Sequence, residues 1–70
     1  MPATLTLIAN GRRHTVEAPQ SLDTFLLSLG LQPTQVVVER NGLALTPGEA
    51  RRTDLADGDV LEIVRIVAGG

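Results

Sequence analysis

The chain opens with alternating polar and apolar residues. Residues 4–8 (TLTLI) have the period of two that is typical of a half-buried β-strand, which places Leu5 and Leu7 on the inward face. Asn10-Gly11 follows directly, and this dipeptide readily adopts the positive φ angles that a tight hairpin needs. We therefore predict a second strand through residues 14–16 that returns antiparallel to the first.

Apolar residues then recur at the spacing of an α-helix, which predicts a short helix. Ser21 stands at the N-cap position, where its hydroxyl can accept a hydrogen bond from a free backbone amide. Gly30 is predicted to end the helix in the left-handed conformation, with Leu31 folding back onto it, and Pro33 prevents continuation. The helix presents one apolar stripe, made of Leu22, Phe25, Leu26 and Leu29.

The second half of the chain returns to strand patterns. Residues 36–40 (VVVER) predict a third strand, and Asn41-Gly42 predicts a hairpin into a short strand at residues 43–45. Pro47-Gly48 ends that strand. The polar segment that follows, up to residue 56, is expected to be irregular.

A turn and a last strand complete the pattern. Leu55 is expected to anchor the irregular segment in the core, and Asp57-Gly58-Asp59 predicts a turn. Residues 60–66 form the most apolar segment and predict the final strand. The order ββαββ in so short a chain predicts an α+β domain, with a mixed sheet of about five strands packed on one helix. The first and last strands are expected to lie side by side and parallel in the centre of the sheet.

Composition narrows the functional classes. Seventy residues suffice for one domain but not for an enzyme with an enclosed cleft between lobes. A net charge of -2 and a pI near 5.1 do not favour a nucleic-acid partner, and no long apolar span favours a membrane. The absence of cysteine excludes disulfides, thiolate metal sites and a thiol nucleophile. We expect a cytoplasmic domain that holds together by core packing.

No group of residues predicts catalysis or a metal site. His14 is the only histidine, so a packed or solvated strand residue is favoured over a ligand or general base. Asp57-Gly58-Asp59 lacks the ligand spacing of a calcium loop, which favours a turn. Arg51-Arg52 is favoured as a solvated loop rather than a phosphate site.

The last strand also predicts an apolar patch outside the core. The pleat points Leu61 and Ile63 inward, so Val64 and Ile66 should lie on the opposite face. Val37 on a neighbouring strand could extend the patch. Partner docking and ordinary surface hydrophobicity both fit this pattern.

The sequence ends in Gly69-Gly70, which suggests a domain over residues 1–66 and a flexible tail over residues 67–70. Four residues can carry the α-carboxylate on the order of 14 Å from the fold, at up to ~3.6 Å each. Glycines lack a Cβ and can thread a narrow cleft in another protein. The carboxylate of Gly70 is inert to nucleophiles and becomes an acyl donor only after activation, for instance as a mixed anhydride with AMP.

Taken with the strand order, three motifs resemble those of the ubiquitin-like (β-grasp) sulfur carriers, and most closely their thiamine-biosynthesis branch. The motifs are VERNG at residues 38–42, DGD at residues 57–59 and EIVRIVAGG at residues 62–70. The resemblance covers essentially the whole chain. None of the motifs is specific alone, but together they are fairly specific.

The resemblance implies a protein co-substrate rather than an enzyme. An E1-like adenylating enzyme, using ATP and Mg, would activate the Gly70 carboxylate, and sulfur from a cysteine desulfurase would convert it to a thiocarboxylate that serves thiazole synthase. No cofactor would be bound by this chain. The face of Val64 and Ile66 would dock the E1-like enzyme. Gly69 would provide clearance beside Gly70, and the arm that both partners grip would consist of Arg65, Ile66, Val67 and Ala68.

Other functions remain open from the sequence. The small subunit of molybdopterin synthase also ends in Gly-Gly, although its usual prolines before that pair are missing here. Three further alternatives remain. The chain could be a sulfur carrier for the synthesis of cysteine or of thiolated tRNA, a protein modifier joined through Gly70, or a non-covalent ubiquitin-like binding module.

Overall fold

The fold is a five-stranded sheet with helices on one side, as seen in a computed structural model that describes residues 3–67. The sheet order is β2-β1-β5-β3-β4, with β1 and β5 parallel and the other neighbours antiparallel. The α+β class and the central parallel pair are therefore confirmed. The elements are β1 (Thr4–Ala9), β2 (Arg12–Glu17), α1 (Leu22–Ser28), a 3₁₀ turn (Pro33–Gln35), β3 (Val36–Arg40), β4 (Leu43–Ala44), α2 (Pro47–Arg51) and β5 (Val60–Arg65).

The core lies between the helices and one face of the sheet. Leu55 is buried in it, as predicted. The single histidine lies on the same side, where the rings of His14 and Phe25 meet edge to face with centroids 5.3 Å apart. His14 is thus a packed strand residue. The largest fully buried side chains are Phe25, Leu7, Leu22, Leu26 and Leu61.

Both ends of α1 form as predicted. The Ser21 hydroxyl accepts a hydrogen bond from the backbone amide of Thr24 at 3.1 Å. Gly30 has a φ of +78°, and the Leu31 amide donates to the Leu26 carbonyl at 3.0 Å, which closes a Schellman motif. The prediction that Leu29 belongs to the buried stripe is wrong: it is the C-cap residue and remains 38% exposed, because the helix has already ended.

The prediction of an irregular segment after β4 is wrong, because this segment forms the second helix, α2. Thr46 and Glu49 make a capping box, in which each side chain accepts a hydrogen bond from the other residue's backbone amide. Hydrogen bonds to the Glu49 carboxylate, first from the Thr46 backbone amide and second from the Thr46 side chain, hold the pKa of Glu49 below its usual value. Arg51 lies at the end of α2 and pairs with Asp23 of α1 at 2.9 Å, so it is not a free loop cation. None of the helices within residues 3–67 is long and apolar enough to span a bilayer.

Both Asn-Gly turns have the predicted hairpin geometry. The φ angles are +49° and +80° at Asn10 and Gly11, and +53° and +85° at Asn41 and Gly42. Two consecutive positive φ angles match the twist of the flanking strands. The turns therefore fix the register of β1 with β2 and of β3 with β4.

Candidate functional site at the end of the last strand

The strand β5 connects the centre of the fold to the C-terminal residues. It is paired on both sides, with β1 in parallel and β3 antiparallel. Its side chains alternate as predicted, because Leu61 and Ile63 are buried whereas Val64 is 63% exposed. The chain that follows β5 therefore starts from a firmly held position.

An asparagine side chain extends the pairing of β5 beyond the end of β1. The backbone ladder between β1 and β5 contains only two partner pairs, the second being Ala9 with Leu61. The Asn10 side chain then accepts from the Ile63 amide at 2.7 Å and donates to the Ile63 carbonyl at 3.0 Å. The side chain of this turn residue thus makes the two hydrogen bonds with β5 that the backbone of a longer β1 would otherwise make. This role of Asn10 was not predicted, although the expected parallel placement of the two strands brings Asn10 beside β5.

A buried carboxylate organises the turn before β5. Asp59 is 5% exposed, and its Oδ2 accepts from the Arg40 Nε and from the Ala56 amide, both at 2.9 Å. Its Oδ1 accepts from the Asn41 Nδ2 at 3.0 Å. Burial alone would raise the pKa of Asp59, but the hydrogen bonds from Ala56, Asn41 and Arg40 outweigh it and hold the pKa below its usual value.

The neighbouring Asp57 also serves the fold. Its Oδ1 accepts from the Thr6 amide at 2.7 Å, and Gly58 takes a φ of +86°. The Asp57-Gly58-Asp59 turn is therefore confirmed, with both carboxylates engaged by the protein itself. Within residues 3–67, no group of three His, Cys, Asp or Glu residues could hold a metal ion.

Two grooves flank the point where β5 ends. The Ile66 amide donates to the Gln35 carbonyl at 2.8 Å, so the chain stays attached to the 3₁₀ turn one residue beyond the strand. Ile66 lines both grooves. The larger groove, of about 290 Å³, is lined by Gly30, Leu31, Gln32, Gln35, Val36, Arg65, Ile66 and Val67. The smaller, of about 150 Å³, is lined by Pro33, Thr34, Val36, Val37, Val38, Leu45, Pro47, Ala50, Arg51 and Ile66.

Two of the three residues of the predicted apolar patch, Val37 and Val64, lie on the face of the sheet opposite the core. Val37 lies directly opposite Val64, and the two side chains are 46% and 63% exposed. On the next rung of the same face, Glu39 lies directly opposite Glu62, and both are exposed. This acidic pair was not predicted, because the sequence shows the two strands but not their register.

The predicted site residues fall into two groups. Four lie within the described chain, and all four are exposed: Val64, Arg65, Ile66 and Val67. The other three, Ala68, Gly69 and Gly70, lie outside the described residues. The described part of the site therefore presents an exposed strand face with grooves at its end.

Comparison with known protein families identifies the group to which this chain belongs. The model of the ThiS family matches residues 2–70. The chain belongs to the ThiS family. A crystal structure of a ThiS-family protein, the thiamine biosynthesis protein (ThiS) from Geobacter metallireducens, is 30% identical and covers 94% of this chain and 100% of its own, with a TM-score of 0.75.

The ubiquitin-like fold expected of a ThiS-family member is confirmed by a second solved structure. A computationally designed protein based on human erythrocytic ubiquitin matches with a TM-score of 0.56 at 20% identity, over 100% of this chain and 98% of its own. It supports the fold alone.

Similar curated proteins are larger than this ThiS-family chain. A thiazole synthase from Magnetococcus marinus is 36% identical over 61 residues, which are 87% of this chain and 19% of that protein. A thiazole synthase from Paramagnetospirillum magneticum is 32% identical over 94% of this chain and 20% of its own length. The chain thus spans about a fifth of the curated relatives that it matches.

Proposed function

We propose that this protein is the sulfur carrier of thiazole formation in thiamine biosynthesis, acting as a co-substrate whose Gly70 carboxylate is converted to a thiocarboxylate. The observation that carries the proposal is the match of the ThiS family to residues 2–70, a range that includes Gly69-Gly70. The name of the Geobacter relative supports thiamine biosynthesis, and the names of the two larger relatives support thiazole synthase as the acceptor of the sulfur.

The chemistry requires an activated carboxylate. An oxygen of the Gly70 carboxylate attacks the α-phosphorus of ATP on an E1-like enzyme with Mg, and pyrophosphate leaves. The terminal sulfur of a persulfide then attacks the acyl carbon and expels AMP. A thiol cleaves the resulting acyl disulfide, which leaves the thiocarboxylate on Gly70. The persulfide sulfur originates from a cysteine desulfurase.

The contribution of this chain is presentation of its C-terminal residues. The two hydrogen bonds between Asn10 and Ile63, and the bond from the Ile66 amide to the Gln35 carbonyl, hold the end of β5 in place. The side chains of Asp57 and Asp59 are used by the fold, and no acid, base or nucleophile of the described residues is assigned a chemical step. The adenylation and sulfur transfer are therefore assigned to the partner enzymes.

Intact mass spectrometry tests the proposal directly. The chain is incubated with ATP, Mg, the adenylating enzyme of the same organism, a persulfide donor and a thiol. We expect the mass change of one oxygen exchanged for one sulfur, located on Gly70 by fragmentation. An unchanged mass with an adenylating enzyme that is demonstrably active on a sulfur carrier from another organism would refute the proposal.

The substitution Gly70→Ala tests the need for clearance at the activated carbon. The added methyl group lies beside the acyl carbon, so we expect at least a roughly tenfold slower mass change, as for displaced reacting groups in general. Gly48→Ala is the matched control, because Gly48 has no positive φ and an added Cβ meets only the Arg52 side chain at 3.5 Å. Equal rates for both variants would show that clearance at Gly70 is not needed.

Growth of a thiamine auxotroph separates the thiamine branch from the other sulfur carriers. A strain lacking its own thiamine sulfur carrier should grow without thiamine when it expresses this chain, and a strain lacking the small subunit of molybdopterin synthase should not regain molybdoenzyme activity. The reverse result would assign the chain to the molybdopterin branch.

A further inference from the structure

The two edges of the sheet differ in length. The edge strand β4 consists of Leu43 and Ala44 alone, whereas the opposite edge strand, β2, has six residues and pairs with β1 in an unbroken register. Short length, proline and bulges are among the features that keep an edge strand from pairing with another chain, and β2 has none of them. The strand β2 is therefore the edge to which a further strand can be added.

The hydrogen bonds of the first hairpin determine which backbone groups of β2 point away from β1. The Ala18 amide donates to the Ala3 carbonyl at 2.9 Å, one residue beyond the end of β2. Opposed residues of an antiparallel pair alternate between hydrogen-bonded and non-hydrogen-bonded positions, so the N–H and C=O groups of Arg13, Thr15 and Glu17 point outward. No other segment of residues 3–67 forms hydrogen bonds with these groups. They form a row of unused backbone donors and acceptors along the edge.

The same three residues carry opposite charges that cannot meet within one chain. Arg13, Thr15 and Glu17 are all exposed, and the pleat of the strand places their side chains on one face of the sheet. Arg13 and Glu17 are separated by about 13 Å along the strand, which is too far for an ion pair. The residues opposite them on β1, Ile8 and Thr4, carry no charge, and neither Arg13 nor Glu17 forms an ion pair among residues 3–67.

A second copy of the chain supplies the matching charges. Two β2 strands related by a two-fold axis at Thr15 run antiparallel, with Thr15 opposite the partner's Thr15 and Arg13 opposite the partner's Glu17. In this register the outward N–H and C=O groups of both strands face each other as hydrogen-bonded pairs. Directly opposite residues have Cβ atoms about 5 Å apart, so both arginine–glutamate pairs attract and the two threonines are in contact.

The neighbouring registers lack this match. Pairing centred on His14 places Arg13 opposite Thr15 and brings the two copies of Arg13 into diagonal positions, where like charges repel. Pairing centred on Val16 does the same to the two copies of Glu17. A centre between two residues sets outward backbone groups against inward ones, so the hydrogen bonds cannot form. Charge and backbone hydrogen bonding therefore favour the same arrangement.

We infer that two copies of this chain pair through β2, with Thr15 at the two-fold axis, and join their sheets into one. The strand β1 separates β2 from β5, and the axis places the ends of the two β5 strands at opposite ends of the joined sheet. The end of β5 therefore stays accessible in both copies. The interface uses none of the residues of the candidate site, and the inference does not rest on the proposed function.

Charge reversals test the inference by sedimentation equilibrium. Between about 10 μM and about 1 mM, the average mass of the unchanged chain should rise from 7.4 kDa towards twice that value. Arg13→Glu and Glu17→Arg each place like charges opposite each other, so each variant alone should dimerise at least about tenfold more weakly. An equimolar mixture of the two variants restores both opposite pairs and should dimerise as well as the unchanged chain. Arg12→Glu is the matched control, because the same charge is reversed on the other face of β2, and it should dimerise within about twofold of the unchanged chain.

Amide hydrogen exchange of the unchanged chain locates the interface without any substitution. Over the same rise in concentration, exchange at Arg13, Thr15 and Glu17 should slow, whereas the amides of His14 and Val16 already bond to β1 and serve as the internal reference. A chain that keeps the monomer mass at about 1 mM overturns the inference. Association that the reversals do not weaken, that the mixture does not restore, or that leaves the three amides unprotected overturns it as well.

Discussion

Leu61 and Val64 lie three residues apart on β5 and point to opposite faces of the sheet. Leu61 is fully buried, and Val64 is 63% exposed. On the covered face the fold leaves little freedom, because side chains from both helices and four strands share one core. On the open face, valines stay exposed and the opposed glutamates have no ion-pair partner among residues 3–67. The covered face therefore determines the stability of the fold, whereas the open face is available for contacts with another protein.

Leu61→Ala is expected to have the largest effect on stability. Removing a fully buried leucine leaves a cavity and lowers the free energy of unfolding by about 2–5 kcal/mol. Urea unfolding followed by circular dichroism measures this change. For a domain of this size, that loss is a large part of the total stability.

Leu43→Ala is the matched control for the covered face. Leu43 is 73% exposed on β4, so the same substitution should alter the free energy of unfolding by no more than about 0.5 kcal/mol. A similar loss in both variants would mean that the contrast between the faces is wrong.

Asp59→Asn is expected to have an intermediate effect on stability. It tests the turn that precedes β5. The amide has one acceptor oxygen, whereas the carboxylate accepts from Arg40, Ala56 and Asn41. We expect the free energy of unfolding to fall by about 1–3 kcal/mol at neutral pH. Asp54→Asn, at an exposed position nearby, controls for the lost charge.

The pH dependence of stability gives a second measurement on Asp59. Its pKa is lowered in the folded state, so the carboxylate stabilises the fold fully above the unfolded pKa of about 3.9. This contribution is lost as the pH falls from there through the lower folded pKa. The Asp59→Asn variant should therefore show a flatter acid limb than the unchanged chain, and parallel curves would argue against the role assigned to Asp59.

The elements that follow from short-range patterns were predictable. The Asn-Gly turns, the Ser21 cap and the Gly30 stop depend on a few neighbouring residues, and all appear as expected. The helix α2 was missed although Thr46, Pro47 and Glu49 carry its signal, because its five residues are too short to show a period. The placement of Leu29 in the buried stripe was wrong because the helical period of apolar residues continues past Ser28, where α1 ends.

Long-range side-chain contacts lay beyond the reach of sequence patterns. The hydrogen bonds between Asn10 and Ile63 and between Arg40 and Asp59 join residues 53 and 19 positions apart. The opposed glutamates depend on the register between β3 and β5, which is fixed only when the sheet is complete. The exposed residues at the end of β5 could be named from the alternation of the strand, but their acidic neighbours could not.

Val64→Ala is expected to have a smaller effect on stability than Leu61→Ala or Asp59→Asn, and it separates folding from recognition. An exposed valine in a strand contributes mainly β-propensity and its contact with Val37, so the free energy of unfolding should change by no more than about 1 kcal/mol. Its role on the open face is different: loss of the two methyl groups removes apolar surface that a partner would cover, and we expect several-fold weaker binding of the adenylating enzyme. Val60→Ala makes the same change on the same face at the other end of β5, and it should bind nearly as well as the unchanged chain. If both variants bind equally well, the open face near Val64 does not contribute to recognition, and the contrast between the two faces reduces to one of stability alone.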